Sequence, residues 1–355
     1  MSLHKTSYQQ AVEAVRALSP SERERLFACF GEKTVATNDS ISRTFANTRF
    51  SKGYVCPKCG KSHINRFGYA HNRAQRYICK DCGKTFLAPS ESVLQGVKKD
   101  VTTVKKYIFC MANGWSIRKS AEFCGISKNT SYNWRHKILV ALLDYMNRTE
   151  LDGIIEVDGT YFLESFTGNH TSDDFEMPRE PRKRGGKASK RGISSEQICV
   201  IGAVNRDGKY YFSVVGNGRP TNRQVKNALK DHIQPSSTLC TDGHVAYRQF
   251  AKDEWLNLVQ IKGGRATKKG IYHIQHANKL HDSAKKMVNN FNGVATKHLP
   301  GYMAWCGIVC YNSGSTTMKE KENRITRIVT SYYGALNCRD ISKGTYKSNT
   351  TKSMV

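Results

Sequence analysis

Four cysteines constrain what this chain can fold into more than any other feature. Cys56-Pro-Lys-Cys59 and Cys79-Lys-Asp-Cys82 are separated by the 19 residues 60–78. Two C-x-x-C pairs at that spacing supply four thiolates to one tetrahedral Zn²⁺, each pair holding one side of the ion. Gly60 and Gly83 each follow the second cysteine of a pair, where the backbone has to turn back sharply around the metal. A unit of about thirty residues buries too little apolar surface to fold by itself, so the ion supplies the folding energy. The other eight of the 12 cysteines are scattered singly, as reduced core thiols are. Residues 54–90 are therefore expected to form a zinc ribbon. Between the pairs, Arg66, Arg73 and Arg76 interleave with Tyr69 and Tyr77 near His71, a pattern that suits either phosphates or plain solvent.

Charge narrows the partner. Fifty-six Lys and Arg stand against 29 Asp and Glu, a formal charge of +27. That excess disfavours an enzyme acting on a small neutral metabolite and exceeds what solubility needs. It fits a polyanion, because each neutralised phosphate releases a condensed counterion. With 39% hydrophobic and 10% aromatic residues the chain still has material for real cores. No apolar run approaches the roughly 20 residues that span a bilayer. The opening MSLHKTSYQQ lacks the apolar stretch of a signal peptide. The expectation is a cytoplasmic protein associated with the nucleoid, with no membrane partner.

The 355 residues suggest two or three domains. Residues 1–50 read as a helical segment, with Ser21 and Glu24 in capping-box spacing and a polar linker over 37–52. Residues 101–146 are helical by period. Within them, Ile117, Ala121 and Cys124 form one apolar face, Gly125 supplies a turn, and Ser127 caps a second helix to Leu139. This is the layout of a helix-turn-helix, whose second helix enters the major groove by its N-terminal end. Lys128, Asn129, Ser131, Tyr132 and Arg135 are then the candidate contacts to bases or phosphates. A fragment of residues 1–150 is expected to bind DNA alone.

From Leu151 short β-type runs follow one another: GIIEVDGTYF, QICVIGAV, KYYFSVVG after the turn Asp207-Gly208, and STLCTD. Strands first and helices later indicate an α/β domain over 151–312, followed by a helix and polar tail over 313–355. Asp158 and Asp242 each end an apolar strand and precede a glycine. One Asp-Gly is a turn signal. Two in one domain of a basic chain suggest a pair of carboxylates holding a hard divalent cation for phosphodiester chemistry. A third ligand is expected from the stretch HIQHANKLHDSAKKMVNNF, where Asn278 and Lys285 lie two helical turns apart with His281 and Asp282 between them. Strand alternation puts Glu156 on the face of Asp158, either supporting it or pairing with an arginine, and Glu164 also flanks the first acid. Residues 179–191 carry seven Lys or Arg, among them Arg182, Lys183, Arg184, Lys187, Lys190 and Arg191, and KGGRATKKG from Lys262 carries four. Such runs are commonly solvated, but between core elements they suit a loop that grips DNA.

From about Val55 to about Asn312, through CPKCG, YICKDCGKTF, GWSIRKSAEFCGIS, EVDGTYFLESF, PRKRGGKASKRGIS, CTDGH and FNGVATKHLPGYMAW, the chain resembles the insertion-sequence transposases of the zinc-ribbon, Merlin-like or ISXO type. The resemblance implies a zinc ribbon and helix-turn-helix followed by an α/β RNase H-like catalytic domain with a mixed sheet. It implies binding to double-stranded DNA, both element ends and target, as a homodimer or higher oligomer. Asp158 and Asp242 match the first two acids of the DDE set. The third, usually Glu, is Asn in some members with Lys seven residues later, which Asn278 and Lys285 match; His281 is the fallback. Mg²⁺ or Mn²⁺ would be held by Asp158, Asp242 and Asn278. Water would free a 3′-hydroxyl that then attacks target DNA. The competing expectation is a zinc-ribbon DNA-binding regulator whose nuclease-like domain is inactive, and the neutral Asn278 is what favours it.

Overall fold

In the computed structural model the described residues are 45–51, 53–71, 74–99, 101–168, 176–180, 186, 188–261, 269–311, 316–334, 336–337 and 341, with 14, 17–19, 21 and 22 before them. Glu24 of the Ser21–Glu24 cap, Arg73, Arg182, Lys183, Arg184, Lys187 and residues 262–268 lie outside this set.

The two cysteine knuckles are built alike. Cys56 N–H donates to the Lys61 carbonyl at 2.8 Å and Gly60 N–H to the Cys56 carbonyl at 2.9 Å; Cys79 to Lys84 (3.0 Å) and Gly83 to Cys79 (2.9 Å) repeat the pattern. Gly60 and Gly83 have φ of +75° and +68°, which a side chain would resist. The knuckles sit on an antiparallel sheet of β1 (Ile64–Tyr69), β2 (Gln75–Cys79) and β3 (Thr85–Leu87). Behind it Phe50, Tyr54, Tyr77 and Phe86 stack with ring centroids 4.8–5.7 Å apart. Residues 45–49 are helical, which corrects the linker expected there. Phe45 is buried, and Arg49 donates to the carbonyls of Ala88 and Glu91 and to that of Tyr332, near the far end of the chain.

Three helices follow: α1 (Val101–Ala112), α2 (Ile117–Cys124) and α3 (Lys128–Met146). Ser116 caps α2 through the Lys119 N–H, Gly125 ends it in the left-handed conformation, and Ser127 caps α3 through the Thr130 N–H. Most of α3 past its first turn is enclosed.

The α/β part has five strands: β4 (Ile154–Leu163), β5 (Gln197–Asn205), β6 (Tyr210–Asn217), β7 (Thr238–Thr241) and β8 (Asn257–Gln260). Their order is β6-β5-β4-β7-β8; β4, β5 and β6 pair antiparallel, whereas β4, β7 and β8 run parallel. This is the mixed sheet of an RNase H-like domain. Nearly all of β5 is buried, which is why QICVIGAVN reads as a continuous apolar run and not as an alternation. Helices α4 (Asn222–Leu229) and α5 (Val245–Asp253) lie in the connections into β7 and β8. Then come α6 (Gln275–Asn290), α7 (Leu299–Cys306) and α8 (Met318–Ser331).

Helix α7 packs along α3. Trp305, fully buried, donates its indole N–H to the Met111 carbonyl at 2.9 Å, and the Arg135 guanidinium lies 4.5 Å above its ring. The three-helix unit and the α/β part thus share one core. Residues 1–150 are therefore not self-contained, because cutting after them would strip Trp305 and α7 from the buried side of α3.

Candidate active site

Val157 of β4 pairs with Thr241, the last residue of the adjacent parallel strand β7, so Asp158 within β4 and Asp242 just past the end of β7 are the next residues along the two segments. Strands in a sheet lie about 4.8 Å apart, which sets the two carboxylates side by side. One oxygen of each is held by local backbone. Asp158 Oδ1 accepts the Gly159 N–H at 2.7 Å, and Asp242 Oδ1 accepts the His244 N–H at 3.0 Å. Among the described residues no Lys or Arg forms an ion pair with either acid. Burial pushes the Asp158 carboxyl up to about 6; the Gly159 N–H opposes this, the Asp242 charge adds to it, and Lys285 opposes it. Two adjacent, partly buried acids with no Lys or Arg ion pair among the described residues form a site that suits a hard cation.

Helix α6 packs on β4 and β5 through Ala277, Leu280, Ala284 and Met287. His281 stands at the edge of that face with Nδ1 3.7 Å from Asp158 Oδ2. Burial and the nearby Lys285 hold it neutral, down at about 4. Its Nε2 is enclosed with no hydrogen-bond partner and points at Gly202, the β5 partner of Asp158. A Cβ at Gly202 would stand 2.6 Å from that nitrogen, so only glycine leaves room for the ring. Asn278 and Lys285 lie on the adjoining exposed stripe of α6, two turns apart. Lys285 also borders an open cleft of about 680 Å³ that runs past the end of β4, lined among others by Tyr161, Glu164, Phe166, Arg179 and Thr296.

Glu156 shares the Asp158 face but is fully buried and pairs with Arg206 at 2.8 Å. Of the two roles open to it in the sequence, the arginine partner is the one realised. Arg206, His273 and His276, which surround it, carry no local signal that marks them.

The expected DNA contacts divide into two groups. Lys128 and Asn129 are exposed on the first turn of α3, and Lys190 and Arg191 are exposed before β5. Arg135 and Ser131 are corrected. Arg135 is buried, donating to the Trp115 carbonyl and stacked on Trp305, and the buried Ser131 hydroxyl donates to the Ile117 carbonyl at 2.9 Å. Neither can reach a duplex. Tyr132 is half-buried, its hydroxyl 3.0 Å from His298 Nε2.

In the ribbon, Cys56 Sγ is 3.8 Å from Cys82 Sγ and Cys59 Sγ 3.6 Å from Cys79 Sγ. With Zn–S bonds of about 2.3 Å, the edge of a tetrahedron is about 3.8 Å. The four thiols fit a closed zinc site.

A family model described as an ISXO2-like transposase domain matches residues 150–306, and one described as a transposase zinc-ribbon domain matches residues 36–85. A relative from Halobacterium salinarum, the uncharacterized protein in transposable element ISH50, is 25% identical over 276 residues, 76% of this chain and 90% of its own length. Among solved structures, a pre-cleavage Mos1 transpososome is 10% identical, covering 66% of this chain and 80% of that one, with a TM-score of 0.20. The Mos1 mariner paired end complex with Mn is 12% identical, covering 61% and 74%, also with a TM-score of 0.20. Superpositions that loose carry no weight for the geometry of this site. No helix among the described residues is long and apolar enough to cross a membrane. The chain therefore carries a transposase zinc-ribbon domain followed by an ISXO2-like transposase domain that runs from ahead of β4 to the end of α7.

Proposed function

We propose that this chain is the transposase of an insertion sequence, binding the terminal inverted repeats of its element and cutting and joining DNA strands at Asp158 and Asp242. The observation that carries the reading is the acid pair, each acid next after the paired Val157 and Thr241 of adjacent strands, with no Lys or Arg ion pair among the described residues. Mg²⁺ or Mn²⁺ bound there would lower the pKa of water and stabilise the attacking and leaving oxygens. With each Oδ1 tied to backbone, Asp158 and Asp242 present their second oxygens as ligands. Asn278 adds a neutral carbonyl oxygen, leaving two formal negative charges where three acids would give three. His281 wedges its Nε2 against Gly202, and its Nδ1, 3.7 Å from Asp158 Oδ2, makes it the alternative third ligand to Asn278. Lys285 holds the scissile or flanking phosphate at the mouth of the cleft. Water attacks a phosphodiester at the element's end, breaking its P–O3′ bond to leave a 3′-hydroxyl and a 5′-phosphate; that hydroxyl then attacks a target phosphodiester in line, expelling the target strand's own 3′-hydroxyl.

End recognition falls to the exposed first turn of α3, with Lys128 and Asn129, while Lys190, Arg191 and the basic run before them grip the backbone. A homodimer or higher oligomer would bring two ends together. Cys56, Cys59, Cys79 and Cys82 would hold one structural zinc.

A strand-cleavage and strand-transfer assay with the element's own ends tests the reading. The wild-type chain should cut and join, Asp158→Asn and Asp242→Asn should bind ends without cutting, and Asn278→Ala should lose most activity. Cleavage surviving in both Asp variants would overturn the site. End binding without any cleavage by the wild type would make the chain a DNA-binding regulator.

A further inference from the structure

Glu156 is 1% exposed, and a lone carboxylate so deep would be strongly unfavourable. It is satisfied on both oxygens. Oε2 accepts the backbone N–H of His276 at 2.7 Å and of Ala277 at 3.1 Å, in the first turn of α6. Oε1 lies 2.8 Å from Arg206 Nη1, 2.7 Å from His276 Nδ1 and 3.1 Å from His273 Nδ1. The residue in the cap position of α6, Ile274, provides no side-chain hydrogen bond. A carboxylate 120 residues earlier in the chain therefore caps this helix, where both the free N–H groups and the helix dipole favour negative charge.

Arg206 completes the node from the β5–β6 turn. Nη1 lies 2.8 Å from His273 Nε2 and 2.9 Å from His276 Nδ1, and Nη2 donates to the Ile271 carbonyl at 3.0 Å. A carboxylate and two imidazoles within reach of one another would suit a borderline transition-metal ion. The guanidinium nitrogen already stands where their ligand atoms converge. The node thus carries a cation of its own, paired with Glu156.

We infer that Glu156 and Arg206 are positioning residues for the reaction proposed above. They fix the start of α6 to β4 two residues from Asp158, and so set where Asn278, His281 and Lys285 stand. The leverage is geometric. Lys285 is eight residues beyond Ala277, about 12 Å along the helix axis. A tilt of about 5° at the anchored turn would displace it by about 1 Å, enough to cost a large factor in rate when a reacting phosphate must be held in line.

The test compares Arg206→Met, Arg206→Lys and Glu156→Gln with the wild type in the full-length, zinc-loaded chain. The readouts are thermal melting, end binding, Mn²⁺ binding, and cleavage rate at saturating Mg²⁺. Arg206→Met and Glu156→Gln should lose at least tenfold in rate, with half-saturating DNA-end concentration and Mn²⁺ affinity changed less than threefold. Arg206→Lys should recover part of the rate. Glu156→Gln keeps an acceptor for the helix N–H groups and so guards against simple unfolding; where it does not fold, Arg206→Lys carries the test. Wild-type rate in a folded Arg206→Met would overturn the inference, as would a loss fully restored by cooling below the variant's melting transition. A second zinc per chain, absent from His276→Ala, would also overturn it, because the node would then hold a metal. If Asp158→Asn cuts as well as the wild type, the reading of the reaction fails instead, and the two failures are distinguishable.

Discussion

Glu156 and Asp158 are two residues apart on the same face of the same strand, and their surroundings are opposite. Glu156 is enclosed and fully answered by a guanidinium, two imidazoles and two helix N–H groups. Asp158 is one-fifth exposed, tied by a single N–H, beside another acid, and pushed up to about 6. A buried carboxylate supplied with its own cation holds structure together. One left without a cation, next to another of its kind, stores a demand for a cation from outside. In the proposed function the second site is the one that binds and reacts, and the first the one that keeps it in place.

The largest effect should come from breaking the satisfied site. Glu156→Ala leaves Arg206 and the α6 N–H groups without their partner, and breaking a buried pair costs about 3–5 kcal/mol. Urea unfolding would read this as a large drop in midpoint, and an unchanged midpoint would mean that the node contributes nothing to the fold. Removing a zinc ligand should be comparably severe but local. Cys79→Ser should release the metal and unfold the ribbon, read as loss of zinc and of end binding while the far-UV signal of the α/β part persists.

The unsatisfied site should respond in the opposite direction. The folded chain holds the Asp158 proton up to about pH 6, whereas the unfolded chain releases it near pH 4. Its ionisation therefore destabilises the metal-free protein, fully above pH 6 and not at all below pH 4. Asp158→Asn should accordingly stabilise the metal-free chain by about 2 kcal/mol at neutral pH, after allowance for its partial exposure, with the gain disappearing in acid. Melting curves of both proteins from pH 4 to pH 8 check the sign. The smallest effect belongs at the rim. Lys128→Ala should weaken DNA binding about equally across sequences and lower the salt slope by about one. Arg135→Ala should instead act on stability, through the lost stack on Trp305.

Much of this is legible in the sequence where the signal is local. The cysteine pairs and the Gly125 turn with its Ser127 cap announce themselves within a few residues; of the two Asp-Gly steps, Asp242 follows the end of β7 as read, whereas Asp158 lies inside β4, which runs on to Leu163. What is not legible depends on distant partners. Arg135 sits in a polar-looking stretch of α3, and nothing nearby reveals that Trp305 covers it. Residues 45–49 look like linker because the groups that Arg49 serves lie at Ala88, Glu91 and Tyr332. Alternation places Glu156 on the right face, but only the fold brings Arg206 and the start of α6 to it. Gly202 reads as one more small residue of an apolar strand until the His281 ring is seen against it.

The central claim is that the uncompensated pair, and not the compensated node, takes the divalent ion. Mn²⁺ binding to the full-length, zinc-loaded chain at neutral pH, measured by calorimetry in the wild type, Asp158→Asn, Asp242→Asn and Glu156→Gln, tests it most directly. Binding should be abolished in both Asp variants and kept within threefold in Glu156→Gln. Mn²⁺ bound with wild-type affinity by Asp158→Asn and Asp242→Asn, but lost in Glu156→Gln, would contradict the account.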